Sequence, residues 1–232
     1  MDSKTYVVAG GSSGIGLEIV KKLLVDGHHV INLSRHFDDP VKAQLKEDYR
    51  VDFTHDQQLP DLPDELHGVV YCPGSIQLKP FRSLKEADFQ NDIQLNYLGA
   101  VKLLHHTERA LKKGKGSVVL FSTVAVQSGM PFHSSISGAK GAVEGLTRAL
   151  AAEWAPNIRV NAIAPSLTDT PLAGKLLSSP EKVEANGARH PLKRVGTPQE
   201  MANAAVFLLD HENSWITGQV IGIDGGMSTL KV

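Results

Sequence analysis

Residues 5–16 of the chain read Thr5-Tyr6-Val7-Val8-Ala9-Gly10-Gly11-Ser12-Ser13-Gly14-Ile15-Gly16. The first five residues are largely apolar and rich in β-branched side chains, which is typical of a buried strand. Glycines follow at once, and apolar residues at helical spacing begin directly behind them. A strand, a glycine-rich turn and a helix in this order are typical of the first unit of a doubly wound α/β sheet.

The rest of the chain repeats the alternation of strand and helix. Strand-like runs are predicted at residues 5–9, 29–33, 49–51, 68–72, 117–122, 159–164 and 220–224, and helices at 16–26, 89–112, 135–155 and 197–209. The strands are continuously apolar, which indicates a sheet that is covered on both faces, and the alternation makes it parallel. We therefore predict a three-layer α/β/α Rossmann fold built on a doubly wound parallel sheet.

The 232 residues are predicted to form a single domain, residues 1–232, because neither an internal repeat nor a linker-like tract divides them. The least regular stretch, residues 166–194, is rich in proline and carries short apolar patches. We interpret it as a substrate-covering loop with small helices.

The charge balance predicts a small-molecule partner. Lys and Arg number 24 against 25 Asp and Glu, so there is no overall basic field that would favour nucleic acid or an anionic membrane. Because the chain runs from Met1 almost directly into its first predicted strand, we expect no signal peptide. No apolar run approaches the length of a membrane span, so a membrane partner is not expected either.

Cys72 is the only cysteine, which excludes an intramolecular disulfide and a cysteine-based metal cluster. No metal site is expected. A single cysteine also fits a reducing compartment, so a cytoplasmic location is predicted.

The glycine-rich turn is a candidate phosphate site. Backbone N–H groups at a helix N-terminus point at an anion, and glycine lets a diphosphate approach the main chain. An ordinary helix-capping turn is the alternative interpretation, but the preceding strand and the following helix favour a dinucleotide. The candidate binding residues are Gly10, Ser12, Ser13, Gly14, Ile15 and Gly16.

The second strand is followed by Ser34 and Arg35, where the adenosine ribose is expected. An acidic side chain here would favour a free 2′-hydroxyl, whereas a guanidinium can pair with a 2′-phosphate. The sequence therefore favours NADP(H) over NAD(H), with a solvated surface arginine as the alternative. Asp52, after the third strand, is placed to meet the adenine amino group, although an aspartate that begins a loop would look the same.

Taken together, these motifs resemble the short-chain dehydrogenase/reductase family over essentially the whole chain. The resemblance rests on the glycine turn at 10–16, Asn96 within 95–99, Asn161-Ala162-Ile163-Ala164-Pro165 and Asp224-Gly225-Gly226. It implies a Rossmann fold and hydride transfer between a nicotinamide and a small carbonyl or alcohol substrate. It also implies a homodimer or homotetramer that pairs the helices at 89–112 and 135–155.

The family resemblance implies a tyrosine four residues before a lysine, with a hydroxyl residue thirteen positions before the tyrosine. Lys140 matches the lysine and would also bind the nicotinamide ribose, but Ile136 stands where the tyrosine belongs. Thr123 occupies the position of the hydroxyl residue, with Ser122 beside it. Asn96 matches the asparagine of a proton relay, and could equally be a mid-helix asparagine that bends the helix by bonding to the backbone.

Loss of a positioned acid or base costs about 10²- to 10⁴-fold in rate. The chain is therefore a slow reductase, a reductase with another acid, or a dinucleotide-binding protein without turnover, such as a sensor or an assembly subunit. His133 is the substitute acid that we consider, because imidazole titrates near neutrality; a local hydrogen-bonding role is the alternative. Ser135 is interpreted as the helix cap, and Ser137 as a small packing residue.

The remaining candidates lie at strand ends that face the cofactor. Cys72 and Gly74 stand in Tyr71-Cys72-Pro73-Gly74, where the family usually has Asn-Asn-Ala-Gly, and Pro165 precedes Ser166 where the family has Pro-Gly. Thr168 is expected near the nicotinamide amide or the pyrophosphate, although a capping hydroxyl in a turn explains it too. Cys72 is interpreted as a small buried apolar residue rather than a reactive thiol.

Overall fold

A seven-stranded sheet forms the centre of the computed structural model, which describes residues 3–55 and 58–231. All the strand pairs are parallel, and the order across the sheet is β3-β2-β1-β4-β5-β6-β7. The strands are β1 (Thr5–Ala9), β2 (His29–Ser34), β3 (Glu47–Arg50), β4 (Gly68–Tyr71), β5 (Ser117–Phe121), β6 (Arg159–Pro165) and β7 (Val220–Ile223).

The sheet changes direction at β1. Val7 of β1 pairs with Ile31 of β2 on one side and with Val69 of β4 on the other. The connections that leave the carboxyl ends of β1 and β4 therefore run to opposite faces of the sheet, which opens a crevice between them. Ligands of doubly wound sheets bind at this kind of position.

Helices cover both faces of the sheet. They are α1 (Gly14–Val25), α2 (Glu86–Ile93), α3 (Gly99–Gly114), α4 (Ala125–Ser128), α5 (Ser134–Trp154), α6 (Pro180–Ala188) and α7 (Pro198–Leu209). Short 3-10 helices span Pro40–Gln44, Phe81–Ser83, Pro171–Ala173 and His211–Asn213.

Neighbouring strand residues belong to two separate cores. Val7 packs into a core with Leu103 of α3 and Val143 of α5. Val8 packs with Ile19 of α1 and with α7 on the other face. This alternation follows from the pleat of a strand, which sends successive side chains to opposite faces. The predicted three-layer, doubly wound fold is confirmed.

The predicted helix at 89–112 is interrupted. A π-helical segment, Gln94–Leu98, joins α2 to α3, and within it the side-chain amide of Asn96 donates to the carbonyl oxygen of Asp92 across 2.9 Å. A wider helical turn leaves a backbone carbonyl free for such a side chain. The predicted local irregularity at Asn96 is therefore present.

The interpretation of Ser135 as a helix cap is wrong. Helix α5 begins at Ser134, and its N-cap position is held by His133. Ser135 is buried, and its hydroxyl donates to the Asp92 carboxylate across 2.6 Å. Ser137 donates to the carbonyl oxygen of Ala125, so it is a hydrogen-bonding residue as well as a small one.

The segment from 166 to 194 contains the 3-10 helix Pro171–Ala173 and helix α6. A β-bridge between Thr168 and Gly196 joins the start of the segment to the residues just after its end. Among the described residues, the structure contains no helix with the length and apolar character needed to cross a membrane.

Candidate active site

The glycine turn lies at the carboxyl end of β1 and is fastened to β2. Gly10 N donates to the carbonyl oxygen of Leu33 across 2.8 Å, and Gly11 N donates to Asn32 Oδ1 across 3.0 Å. Gly14, where α1 begins, has a φ of +53°, which favours glycine. A Cβ on Gly16 would clash with the Gly10 carbonyl oxygen, so glycine is required where helix and turn meet.

A cavity of about 370 Å³ opens over this turn. It is lined by predicted dinucleotide-binding residues, namely Gly10, Ser12, Ser13, Gly14, Ile15, Gly16, Ser34, Arg35, Asp52, Cys72 and Gly74. The first residues of α1 line this space, and the first N–H groups of a helix have no partner within the helix. These residues fit a dinucleotide diphosphate.

A second cavity, of about 260 Å³, continues from the first. Its walls include the predicted residues Ser122, Thr123, His133, Lys140, Pro165 and Thr168. Both cavities share the wall residues Ile15, Cys72, Gly74, Thr170 and Leu172. The two spaces therefore form one cleft along the carboxyl edge of the sheet, and the structure brings every predicted site residue except Asn96 to its surface.

Lys140 is buried at the floor of the second cavity. Its ammonium nitrogen donates to the carbonyl oxygen of Phe121 across 2.8 Å. Burial lowers the pKa of Lys140 to about 8, because desolvation disfavours the charged form. Asp92 acts in the opposite direction and favours the ammonium. A lysine in this state can hold or release a proton near neutral pH.

The structure separates the roles of Ser122 and Thr123. Ser122 Oγ donates to Oε1 of the buried Glu144 across 2.8 Å, so its proton is already used. Thr123 Oγ1 accepts a hydrogen bond from Ala125 N across 3.3 Å, and an accepted bond leaves the threonine proton available. Thr123 is therefore the better hydrogen-bond donor toward the cavity.

Asn96 lies behind Gly74 rather than on the cleft surface. Its amide nitrogen donates to Ser75 Oγ across 2.9 Å, and among the described residues its Oδ1 has no hydrogen-bond partner. A Cβ built on Gly74 would lie 3.4 Å from that oxygen and 3.7 Å from Lys140 Nζ. Asn96 and Lys140 thus converge on the same glycine.

Asp92 joins this group from the adjacent turn of helix. Its carboxylate is buried and accepts hydrogen bonds from Ser75 Oγ across 2.5 Å and from Ser135 Oγ across 2.6 Å. The sequence reasoning missed Asp92 and Ser75. In the sequence, Asp92 stood out only as a charged residue four positions before Asn96 in an otherwise helical pattern. No feature of the sequence marked Ser75.

Ile136 is 5% exposed and lines the second cavity near Lys140. Its side chain carries no dissociable proton. His133 lines the same cavity, and its Nδ1 lies 2.7 Å from the carbonyl oxygen of Pro131. Because a carbonyl only accepts, Nδ1 carries a proton, and Nε2 is the acceptor of the neutral ring.

Arg35 is exposed and lines the first cavity with Ser34 and Asp52. Ser34 Oγ donates to the His36 carbonyl oxygen across 3.0 Å, which shapes the turn after β2. Hydrogen bonds from Thr54 lower the pKa of Asp52, and the Arg35 charge adds to that effect. His36 also lines this cavity and was missed by the sequence reasoning, although it adjoins Arg35.

Cys72 is at the junction of the two cavities. Burial raises the pKa of its thiol to about 12, so the thiol stays protonated. A protonated thiol is a poor nucleophile, which agrees with the interpretation of Cys72 as unreactive. The side chain is half-buried at the cleft, however, and not fully buried as expected.

Thr168 is buried, and its hydroxyl donates to the Ser166 carbonyl oxygen across 3.0 Å. Thr170, two residues later, lines both cavities. A Cβ on Gly14 would lie 3.3 Å from Thr170, so this threonine sits over the glycine turn. Thr170 is therefore the better placed of the two threonines to reach a diphosphate.

A doubly wound sheet with a glycine turn that opens onto a cleft is the arrangement of a nucleotide-binding protein of the Rossmann type. The family model described as enoyl-(acyl carrier protein) reductase matches residues 9–228. The chain belongs to the short-chain dehydrogenase/reductase family.

Two relatives and one solved structure illustrate the match. A tropinone reductase homologue of Arabidopsis thaliana, described as chloroplastic, is 32% identical, covering 98% of this chain and 76% of the relative. The 3-oxoacyl-[acyl-carrier-protein] reductase FabG of Thermotoga maritima is 31% identical over 98% of both chains. The structure of ElxO with NADP bound has a TM-score of 0.87 at 26% identity, covering 99% of this chain and 100% of that chain. The chain is thus homologous to short-chain dehydrogenase/reductase enzymes, for which NAD(P) is the typical cofactor.

Proposed function

We propose that this protein is an NADP(H)-dependent oxidoreductase that acts on a small, largely apolar carbonyl or alcohol substrate. The observation that carries the proposal is the continuity of the two cavities, which share the wall formed by Ile15, Cys72, Gly74, Thr170 and Leu172. A dinucleotide held over the glycine turn can extend along this wall toward Lys140. When bound, the nicotinamide supplies or accepts a hydride.

In this proposal the first cavity holds the cofactor. Amides at the start of α1 bind the diphosphate, and Thr170 covers it from above. Arg35 pairs with the 2′-phosphate of the adenosine ribose, while Asp52 faces the adenine. Lys140 binds the nicotinamide ribose, and Pro165 and Thr168 line the nicotinamide end.

The second cavity holds the substrate. Its walls are mainly apolar, with Ile76, Leu78, Met130, Leu167 and Leu176 among them. Such walls bind an apolar molecule by excluding water, and a few polar groups then orient it. Thr123 donates a hydrogen bond to the substrate oxygen, and the segment 166–194 covers the site.

The family pattern does not identify the proton donor of this site, because Ile136 stands at the position that the family resemblance gives to tyrosine. His133 is one substitute, since it lines the cavity and its Nε2 is available. Asn96 and Lys140, which converge on Gly74, are suited to relaying a proton from solvent.

The second candidate function is a dinucleotide-binding protein without turnover, such as a sensor or an assembly subunit. Ile136 is the observation that favours it, because loss of the acid lowers the rate of catalysis but does not change the affinity for the cofactor. Lys140, Thr123 and Asn96 favour the enzyme, since dinucleotide binding alone does not require them in this register.

The two functions are separated by measuring binding and turnover on the same material. NADPH binding is followed by the change in nicotinamide fluorescence, and turnover by loss of absorbance with a panel of ketones and aldehydes across pH. We expect binding with slow turnover that Lys140→Ala abolishes. Binding without turnover at any pH would contradict the enzymatic function and support the non-catalytic one. If His133→Ala has the pH profile of the wild type, His133 is not the acid.

We also propose a homodimer or homotetramer, formed through the helices α3 and α5 on one face of the sheet. Light scattering on the purified protein tests this state, and a monomer across the micromolar range would contradict it. The cytoplasmic location stays a prediction, tested by fractionation of cells that express the protein.

A further inference from the structure

A half-buried serine and a buried histidine form a pair on the wall of the second cavity. Ser166 directly follows β6, and His190 follows α6. Ser166 Oγ lies 2.8 Å from His190 Nε2, and the His190 side chain is only 3% exposed. Both residues line the cavity that also contains Thr123, Ile136 and Lys140. Neither has a role in the cofactor site described above.

The second nitrogen of the imidazole determines how this pair shares protons. His190 Nδ1 lies 3.0 Å from the carbonyl oxygen of Asn186, which can only accept. Nδ1 therefore carries a proton whether the ring is neutral or charged. In the neutral ring Nε2 is an acceptor, and Ser166 donates to it.

Protonation of His190 reverses the hydrogen bond. Nε2 then donates to Ser166 Oγ, and the serine proton must turn elsewhere. The structure contains a second acceptor for it, because Ser166 Oγ lies 3.2 Å from the thioether sulfur of Met227. A thioether is a weak acceptor, so an oxygen of a substrate in the cavity would readily replace it. Met227 itself lines this cavity.

The pair lies near the residue that orients the substrate oxygen. Val124 N donates to the Pro165 carbonyl oxygen across 3.1 Å, which holds the loop after β5 against the end of β6. Thr123 and Ser166 are the immediate neighbours of these two bonded residues. One hydroxyl from each loop thus reaches the same cavity, whereas Ile136 contributes no proton.

We propose that Ser166, backed by His190, is the group that gives the substrate oxygen its proton during carbonyl reduction. The inference rests on the proposed oxidoreductase function. As the carbonyl carbon gains a hydride, its oxygen takes the Ser166 proton, and the O–H bond of the alcohol forms. Ser166 Oγ takes the Nε2 proton of charged His190, which becomes neutral and keeps its proton on Nδ1. A proton from the bulk solvent, carried by water that enters the cleft, restores the charge of His190. Alcohol oxidation runs the same steps in reverse and releases that proton to solvent.

Several charged groups lie near His190. Arg189 and Lys193 belong to its own segment, and Arg194 and Glu200 form an ion pair beside it. Asp224 approaches from the end of β7, with its carboxylate held by Gly226 N and Ser228 N. The variants of the test leave all of these groups in place.

The test combines kinetics with a spectroscopic measurement. We compare the wild type with Ser166→Ala, Ser166→Thr, His190→Gln and the control His29→Gln, which replaces an exposed histidine at the start of β2. Each protein is characterised by its thermal midpoint, its NADPH affinity and its turnover of cyclohexanone, acetophenone and benzaldehyde between pH 5 and 9. We expect Ser166→Ala and His190→Gln to lower kcat by about 100-fold with NADPH affinity unchanged. Ser166→Thr keeps the hydroxyl and should recover most of kcat, and His29→Gln should match the wild type.

The spectroscopic arm uses ¹⁵N-labelled histidine. The signal that disappears in His190→Gln belongs to His190, and in the neutral ring it should report a proton on Nδ1 in the protein both alone and with NADP⁺. Ser166→Ala should shift the Nε2 signal and not the Nδ1 signal.

The outcomes are distinguishable. If the wild type turns over a carbonyl while Ser166→Ala and His190→Gln keep kcat within about twofold, this inference fails and the proposed function stands. A neutral His190 protonated on Nε2 would overturn the inference as well. If the wild type binds NADPH but reduces none of the three carbonyls at any pH, the proposed function fails and the inference fails with it.

Discussion

The ammonium nitrogen of Lys140 donates a hydrogen bond to the carbonyl oxygen of Phe121 across 2.8 Å. This bond ties helix α5 to the last residue of β5, whose carboxyl end opens into the substrate cavity. The lysine is buried, yet the structure keeps it at the junction of sheet, helix and cleft. A charge held in this position must have a cost for folding.

Lys140→Met should stabilise the protein at neutral pH. Burial lowers the pKa of Lys140 from 10.5 to about 8, so between these values the unfolded chain binds more protons than the folded one. The stability contributed by Lys140 therefore rises with pH across this window and is lowest below pH 8. We expect the variant to gain up to about 3 kcal/mol at pH 7, and the gain to shrink toward pH 10. Urea titrations at both pH values measure it, and a gain that does not change with pH would contradict the prediction.

Arg35→Ala should weaken NADPH binding and leave NADH binding unchanged. A charge-assisted pair with a phosphate is worth about 1.5–3 kcal/mol, which corresponds to about 10- to 100-fold in Kd. Calorimetry with both dinucleotides measures the difference. Arg50→Ala is the matched control, because Arg50 ends the neighbouring strand and lines a separate groove. Equal losses for both dinucleotides would show that Arg35 does not contact the 2′-phosphate.

Thr123→Val and Ser122→Ala should have different effects. The valine keeps the shape of threonine and removes the proton that faces the cavity, so kcat should fall about 10- to 100-fold while the thermal midpoint changes little. Ser122→Ala removes a donor from the buried Glu144 and should cost about 1–3 kcal/mol of stability. Steady-state kinetics and thermal melts measure the pair. A loss of kcat in Ser122→Ala with none in Thr123→Val would reverse the assignment of these two hydroxyls.

Gly16→Ala should abolish dinucleotide binding, because its Cβ would clash with the Gly10 carbonyl oxygen and force the turn away from α1. Gly138→Ala is the control. Gly138 lies in α5 with nothing within 4 Å of a built Cβ, so alanine should stabilise the helix by about 0.5–1 kcal/mol. Fluorescence titration with NADPH and thermal melts test both variants. Normal NADPH affinity in Gly16→Ala would show that the turn does not hold the diphosphate.

The local pattern of the sequence was enough to predict the sheet and the cofactor cavity. Strand periodicity and the glycine spacing at 10–16 depend on residues close together in the chain, so propensity and helix-terminus chemistry apply directly. Lys140 was found through the family resemblance, from its place in Ala139-Lys140-Gly141. The interruption of the long helix at Asn96 was one of two interpretations of this residue, because an asparagine competes with its own helix for backbone bonds.

The pairings that decide the chemistry come from distant parts of the chain. Ser135 meets Asp92 across 43 positions, and Ser166 meets His190 across 24. The sequence alone treated Ser135 as a cap and gave His190 no role. The hydrophobic periodicity of the sequence does not predict which side chains of separate loops will contact each other.

By itself, then, the sequence determined the α/β architecture, the glycine turn and the family to which the chain belongs. Only the tertiary structure decided that the Ser122 hydroxyl is used by Glu144 while Thr123 faces the cavity. It likewise decided which histidine is buried beside a serine in the substrate space. The physical reason is that secondary structure follows from neighbouring residues, whereas hydrogen-bond partners follow from how helices pack on the carboxyl edge of the sheet.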